Sequence, residues 1–246
     1  MQSRIRYDLH THTTYSHGRG SVMDNVRAAY EAGLETVGIT DHGPGHISYG
    51  IDLGRYDEMR ADIEKAKIQF PAMEVLLGVE ANIVNYSGKI DLTKEEQAMF
   101  DYVIAGYHYA YLGENIAHGC ATCVSGWLDD KGILKAREGR VNANTEIIIS
   151  ALEENNIRIL SHPGDKMPVK IAPIARVCER RGTLLEINNH HTHMTTEEIK
   201  IAKDFDVKFI LSSDAHKTCN VGMVEGAYER AVLAELDLNR IVNLRD

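Results

Sequence analysis

The stretch YDLHTH, residues 7–12, joins a short β-rich run to two histidines that lie two positions apart. In an extended segment, residues i and i+2 point to the same side, so His10 and His12 can hold one ion as a pair. The stretch therefore predicts a strand that ends in a metal-binding pair.

Outward from this stretch, short β-rich runs alternate with helical patterns. Seven strands are predicted at Tyr7–Leu9, Thr36–Thr40, Val75–Val79, Tyr102–Ala105, Ile157–Leu160, Leu184–Ile187 and Phe209–Leu211. Such alternation is typical of strand–helix–strand units in a parallel α/β sheet. Over one compact length it favours a closed or nearly closed β/α barrel, although periodicity alone does not exclude an open doubly wound sheet.

Helix start signals fit between these strands. Ser21 and Thr93 are predicted N-cap residues, and Thr195 or Thr196 starts a further helix with Glu198 in capping-box range. The other predicted segments run from Ser21 to Gly33 and over Arg55–Phe70, Lys94–Phe100, Asn142–Asn155, Ile171–Arg181 and Val224–Leu236.

Six of the seven predicted strands end in residues that can bind a metal. These candidates are His10, His12, His17, His42, Glu80, His108, His162, Asp214 and His216. Barrel enzymes place their chemistry at the C-terminal ends of the strands, so all nine are expected to converge there. Nine ligands are too many for one ion, and imidazole and carboxylate groups without thiolate favour Zn, with Mn or Fe as alternatives. Two or three divalent ions are therefore predicted, with Glu80 as a bridging carboxylate.

The sixth strand end reads EINNHHTH, residues 186–193, and has no single obvious ligand. We interpret it as a polar pocket wall in which Asn188 or Asn189 donates an amide hydrogen bond to the substrate. A further metal site is an alternative, and simple loop exposure is another alternative for His190, His191 and His193. Two remaining histidines, His46 and His118, are expected to be structural or peripheral.

Composition bounds the class of protein. With 246 residues, 43% of them hydrophobic, residues 1–246 are predicted to form a single domain. The formal charge of −9 argues against a binder of long nucleic acid, although bound cations would allow a small anionic substrate. No stretch approaches the roughly 18 uncharged apolar residues that span a bilayer, so we expect a cytoplasmic protein without a membrane partner.

The segment 109–140 does not follow the alternation and is predicted to be a lid-like insertion. It contains the only tryptophan, Trp127, and the pair Cys120 and Cys123. This CxxC pair could bind zinc or act as a redox pair, and the alternative is two small residues that pack a loop. Four cysteines in total are too few for a disulfide scaffold and suit a reducing compartment.

The motifs DLHTHT, TDHG, GVEAN, GYH, SHPG, EINN and SDAH, in this order from Tyr7 to about Gly222, resemble those of the PHP (polymerase and histidinol phosphatase) family. The closest likeness is to the small stand-alone phosphatases of that family, although these are shorter at 109–140. The resemblance implies a distorted seven-stranded (β/α)7 TIM-like barrel with three metals. It assigns them to the sets His10, His12, Glu80 and Asp214; His17, His42 and His216; and Glu80, His108 and His162.

The function expected from these motifs is that of a metal-dependent phosphatase, a hydrolase that acts on a small phosphorylated substrate through an activated hydroxide. Glu80, Asp214 and His216 are the catalytic candidates. Asp41 is a candidate orienter of the neighbouring ligand His42, and strand-end hydrogen bonding is the alternative for it.

Cations that hold the substrate phosphate are expected in loops beside the ligands, and Arg19, Lys166 and Lys217 are the candidates. The alternatives are a metal-dependent nuclease or nucleotide phosphodiesterase, an amidohydrolase-like C–N hydrolase, and a non-catalytic metal-binding or sensing protein. No lysine stands at a strand end in place of Glu80, as the amidohydrolase alternative would favour. A monomer or small homo-oligomer is expected.

Overall fold

A computed structural model describes residues 3–84, 87–108 and 138–245. One sheet of seven parallel strands runs through them in chain order, from β1 to β7. The strands are β1 (Tyr7–Asp8), β2 (Thr36–Ile39), β3 (Glu74–Asn82), β4 (Tyr102–Gly106), β5 (Ile159–Leu160), β6 (Leu184–Asn188) and β7 (Phe209–Ser212). All seven predicted strands are confirmed, with shifts of one to three residues at their ends.

Helices follow the strands and lie outside the sheet. They are α1 (Val22–Glu31), α2 (Tyr56–Gln69), α3 (Lys94–Gln97), α4 (Glu138–Glu154), α5 (Ile171–Arg181), α6 (Thr196–Ala202) and α7 (Glu225–Leu233). Ser21, Thr93 and Thr195 each accept a hydrogen bond from the backbone three residues later, in complete capping boxes. The predicted caps are thus confirmed, while α3 ends three residues earlier than expected.

The barrel closes between its first and last strands without a continuous ladder. Thr11 and Ala215 form a parallel bridge just beyond the C-terminal ends of β1 and β7. At the opposite end the last residues of the chain fill the gap, because Ile241 bridges Phe209 and Leu244 bridges Ile5. The nearly closed (β/α)7 TIM-like barrel is therefore confirmed, and the open doubly wound alternative is excluded.

Apolar side chains fill both sides of the sheet. The larger cluster lies between strands and helices, and a smaller one, contributed by the strands alone, contains Leu9, Tyr102, Ile104, Ile159 and Ile210. Tyr102 donates a hydrogen bond to the Leu9 carbonyl at 2.8 Å. A Cβ at Gly38 would lie 1.8 Å from the Tyr102 hydroxyl, so glycine is required there for the ring to fit. This smaller apolar cluster fills the barrel interior and supports the polar side chains at the C-terminal end of the barrel.

The predicted insertion at 109–140 lies mostly outside the described residues, together with His118, Cys120, Cys123 and Trp127. The helix predicted over Asn142–Asn155 is longer than expected, because Glu138–Arg140 already belong to α4. Within the described ranges, no helix combines the length and apolar character needed to cross a bilayer.

Candidate metal centre

Glu80, at the end of β3, is the central carboxylate of the site. Its Oε2 lies 3.3 Å from His10 Nε2, 3.5 Å from His12 Nε2 and 3.0 Å from His42 Nδ1. Its Oε1 lies 3.2 Å from His108 Nε2 and 2.9 Å from His162 Nε2. The two oxygens therefore face two different groups of imidazoles, which is the arrangement of a bridging carboxylate.

Asp214, just after β7, closes the first group from the other side. Its Oδ1 lies 3.5 Å from His10 Nε2 and 3.1 Å from His12 Nε2. The backbone of Asp214 has φ +50°, in the left-handed region that a residue with a Cβ rarely adopts. His162, after β5, is also in this region, with φ +27°. The backbone is therefore strained at both of these candidate ligands, which lie just after the C-terminal ends of their strands.

A further group is made of imidazoles alone. One ring nitrogen from each of His12, His17, His42 and His216 lies within 4.8 Å of the others. The rings of His17 and His216 have centroids 4.1 Å apart, and those of His17 and His42 are 4.8 Å apart. All nine candidate ligands named from the sequence thus converge on one end of the barrel.

Hydrogen-bond partners orient several of these rings. His10 Nδ1 is 2.7 Å from Glu186 Oε1, His108 Nδ1 is 2.7 Å from Asn82 Oδ1, and His216 Nδ1 is 2.9 Å from the Asp214 carbonyl. When Nδ1–H donates in this way, Nε2 carries the lone pair that a metal ion needs. Glu186 and Asn82 were not assigned this role from the sequence.

Burial and neighbouring charge set the ionisation of the site. Burial alone would raise the pKa of Glu80, but the charges of His10, His108 and His42 hold it well below its usual value. Burial, followed by the neighbouring His216 and His42, lowers the pKa of His17 to about 3. Metals bind ionised carboxylates and neutral imidazoles. Glu80 and His17 are in these states. Burial would lower the pKa of His162, but the hydrogen bond and charge of Glu80 raise it to about 9, so His162 must lose a proton to bind a metal.

The donor groups fit divalent metal ions. Buried nitrogens without a hydrogen-bond partner include His10 Nε2, His12 Nδ1, His17 Nδ1, His42 Nδ1 and His162 Nδ1. Buried polar atoms are almost always paired, so this set calls for a ligand other than protein. Ligand atoms that share an ion at about 2.0–2.2 Å lie roughly 3–3.5 Å from each other. The distances around Glu80, 2.9–3.5 Å, match that spacing.

An open pocket of about 370 Å³ lies at this end of the barrel. Among the predicted phosphate-binding cations, Lys166 lines it and has its Nζ 3.0 Å from Asp165 Oδ2. Arg19 and Lys217 are exposed and are not among the residues of the pocket wall.

Asn188 is fully buried, and its amide donates to Glu186 Oε2 at 2.9 Å and to Asp214 Oδ2 at 3.2 Å. Its side-chain oxygen accepts the backbone N–H groups of His190 and His191. These contacts favour a positioning role for Asn188 over the substrate contact expected from the sequence.

One histidine outside the nine candidate ligands also lies at the pocket. His46, expected to be structural or peripheral, has a structural role because its Nδ1 accepts the backbone N–H groups of Ser48 and Tyr49, and it also lines the pocket. Its place four residues after the ligand His42 was the available signal.

Asp41 does not orient His42. Its carboxylate accepts from Thr13 N, Thr13 Oγ1 and Ser16 Oγ at 2.5–2.7 Å, so it braces the loop that carries His17. The direction in which Asp41 points depends on this loop, which lies about 25 residues earlier in the chain.

A closed parallel barrel whose strand ends gather imidazole and carboxylate groups defines the class of this protein as a metal-binding β/α barrel. The PHP domain model matches residues 8–190, so the chain belongs to the PHP family. A probable phosphatase of a Thermoanaerobacter species is 30% identical over 234 residues, covering 91% of this chain and 84% of the relative. A probable phosphatase of Caldanaerobacter subterraneus is 29% identical over 237 residues, covering 92% and 82%.

A solved structure shares the fold at low sequence identity. Histidinol phosphate phosphatase from Lactococcus lactis, in complex with Zn, L-histidinol and phosphate, superposes with a TM-score of 0.58 and 15% identity. The superposition covers 94% of this chain and 92% of that chain. The family resemblance noted from the sequence motifs is confirmed by the PHP domain match, and this structure shows the likeness of fold.

Proposed function

We propose that the protein is a metal-dependent phosphatase that hydrolyses a small phosphomonoester at a site with two to three divalent ions. The observation that carries this proposal is Glu80, whose two carboxylate oxygens face separate groups of imidazoles at 2.9–3.5 Å. Similarity to probable phosphatases over most of both chains supports the same reaction class. Zn is the first candidate metal, with Mn or Fe as alternatives.

We infer that the donor groups act in the three sets that the family resemblance implies. His10, His12, Glu80 and Asp214 would hold one ion, His17, His42 and His216 a second, and Glu80, His108 and His162 a third. When bound, such ions lower the pKa of a water towards about 7 and offset the charge that develops on phosphoryl oxygens. Asp214 and His216 are the candidates for proton transfer, since Asp214 contacts the ligand set and His216 lines the pocket.

Groups on the pocket wall provide the remaining substrate contacts. Lys166 supplies a positive charge for the phosphate. His46 accepts backbone N–H groups at Nδ1, so its neutral ring carries the hydrogen on Nε2 and can donate it. Burial, followed by the charge of His42, lowers the pKa of His46 to about 4 and keeps the ring neutral. A volume of about 370 Å³ suits a small substrate.

The test is phosphate release from a panel of phosphomonoesters and short phosphodiesters, by protein reconstituted with Zn or Mn. We expect monoester turnover that falls by roughly 100-fold or more in Glu80→Gln, because the bridging charge is lost while the shape is kept. Glu197→Gln is the matched control, since Glu197 is exposed on α6 and pairs with Lys200.

Three outcomes would contradict the proposal. Turnover of diesters alone would favour the nuclease or phosphodiesterase alternative. Equal activity in Glu80→Gln and wild type would exclude the bridging role of Glu80. Metal-loaded protein without turnover of either substrate class would favour a metal-binding or sensing function.

A further inference from the structure

Three histidines follow β6, at positions 190, 191 and 193, and the ring of His191 lies in the site. His191 lines the pocket, and its side chain is 20% exposed. Two side chains hold the backbone here: Asn188 Oδ1 accepts the His191 N–H at 2.9 Å, and Arg230 donates to the His191 carbonyl at 3.3 Å. The backbone that carries the ring is therefore held by contacts from β6 and α7.

Both nitrogens of His191 face carboxylate oxygens. Nδ1 lies 3.2 Å from Asp165 Oδ2, and Nε2 lies 3.4 Å from Asp214 Oδ2. This repeats the arrangement of His10, which has Nδ1 on the Glu186 carboxylate and Nε2 near the other Asp214 oxygen. A carboxylate at one ring nitrogen is the usual partner of a histidine whose other nitrogen binds a metal.

The neighbourhood supplies further donors. One donor atom from each of His162, His191 and Asp214 lies within 4.8 Å of the others, and the two rings have centroids 4.7 Å apart. Asp214 presents Oδ1 to His10 and His12 and Oδ2 to His191, as Glu80 presents its two oxygens to two groups.

We propose that His191 is a tenth metal ligand, which shares an ion with His162 and Asp214 on the β5–β6–β7 side of the site. Asp165 is its positioning residue, because its carboxylate lies 3.2 Å from Nδ1 and leaves Nε2 for the ion. The inference rests on the metal centre proposed above but does not require phosphatase activity.

The test measures metal content and affinity. Metal-free protein is loaded with excess Zn²⁺, desalted and analysed by mass spectrometry of the metal, and Zn²⁺ affinity is measured by competition with a chelating dye. In His191→Ala we expect one bound ion fewer per chain, or about 10-fold or greater weakening of the weakest site. In Asp165→Asn, which keeps the imidazole, the same site is expected to weaken by roughly 10–100-fold.

His193→Ala is the matched control, because His193 belongs to the same tract but has its Nδ1 3.3 Å from Glu198 on α6. Its Zn²⁺ content and affinity are expected to equal those of wild type. If His191→Ala does not fold, as judged by circular dichroism, the Zn²⁺ affinity of Asp165→Asn alone decides whether His191 is a ligand.

The role of His191 would be overturned if the folded His191→Ala variant had the Zn²⁺ content and Zn²⁺ affinity of wild type. The same result in Asp165→Asn would overturn it when His191→Ala does not fold. Either outcome would leave the proposed phosphatase intact. Absence of bound metal from the wild type would overturn both.

Discussion

At the scale of single residues, Glu186 shows how a buried carboxylate organises ligands without touching the pocket. It is fully buried, and its Oε1 accepts from His10 Nδ1. Its Oε2 accepts the His162 backbone N–H at 2.8 Å and the Asn188 amide at 2.9 Å. One side chain thus fixes the orientation of His10 and the strained backbone of His162.

We predict that Glu186→Gln lowers Zn²⁺ affinity and kcat/KM by roughly 10–100-fold. Glutamine keeps the volume but replaces one acceptor oxygen with an amide N–H donor. This donor would face N–H groups that donate to the carboxylate in the wild type. The measurement is Zn²⁺ competition titration together with steady-state kinetics on the preferred monoester. The exposed Glu197→Gln variant is again the control, and equal values in both variants would show that Glu186 does not position the ligands.

At the scale of elements, Asp91 joins two loops of the site. Its Oδ1 accepts Asn82 N at 2.8 Å, and its Oδ2 accepts Gly45 N at 3.0 Å and the Asn82 amide at 2.5 Å. Asn82 in turn holds His108 Nδ1, and Gly45 lies in the loop that follows His42. The connection after β3 thereby fixes the ligand-bearing ends of β2 and β4.

We predict that Asp91→Asn lowers the free energy of unfolding by about 1–3 kcal/mol, because an amide nitrogen would replace one of two oxygens that accept buried N–H groups. Urea denaturation of metal-free protein measures this. Asp52→Asn is the control, since Asp52 is an exposed N-cap, where asparagine serves as well as aspartate. Equal losses in the two variants would contradict the role assigned to Asp91.

The effect of Asp91→Asn on the free energy of unfolding is expected to depend on pH. Burial raises the pKa of Asp91 from 3.8 to about 6, although the Asn82 hydrogen bonds oppose it. The folded protein therefore binds a proton as the pH falls below about 6, before the unfolded chain does, so this group stabilises the fold increasingly down to about pH 4. In metal-free protein, the stability difference between wild type and Asp91→Asn should be larger at pH 4 than at pH 7. A difference independent of pH would show that Asp91 does not titrate in this range.

At the scale of the whole molecule, the candidate ligands come from six of the seven strand ends, and β1 and β7 are joined there by a single bridge. Ions bound to these ligands would connect both sides of the seam. Binding to the folded state alone stabilises it by about 4 kcal/mol at 1,000 times Kd.

Removal of metal by EDTA is therefore expected to lower Tm by roughly 8–16 °C, measured by calorimetry. Glu80→Gln should show a much smaller EDTA effect, because it has lost the bridging ligand. A Tm unchanged by EDTA in wild-type protein known to bind metal would mean that the ions do not hold the strand ends together.

The sequence by itself determined the strand–helix alternation and the nine candidate ligands, and it favoured a barrel over an open sheet. Strand runs and capping boxes are local patterns, and the C-terminal ends of parallel strands in one closed sheet meet at one edge. A ligand type at six of the seven strand ends, from His10 to His216, therefore predicts convergence without any knowledge of distances.

Only the tertiary structure decided which groups orient those ligands and which line the pocket. Glu186 and His10 are 176 residues apart in the chain, so no local pattern links them. The loop paths likewise bring Lys166 and His46 to the pocket wall and leave Arg19 and Lys217 outside it. The physical reason is that local periodicity indicates where a strand runs and ends. The direction of a loop side chain, by contrast, is fixed by hydrogen bonds to residues distant in sequence.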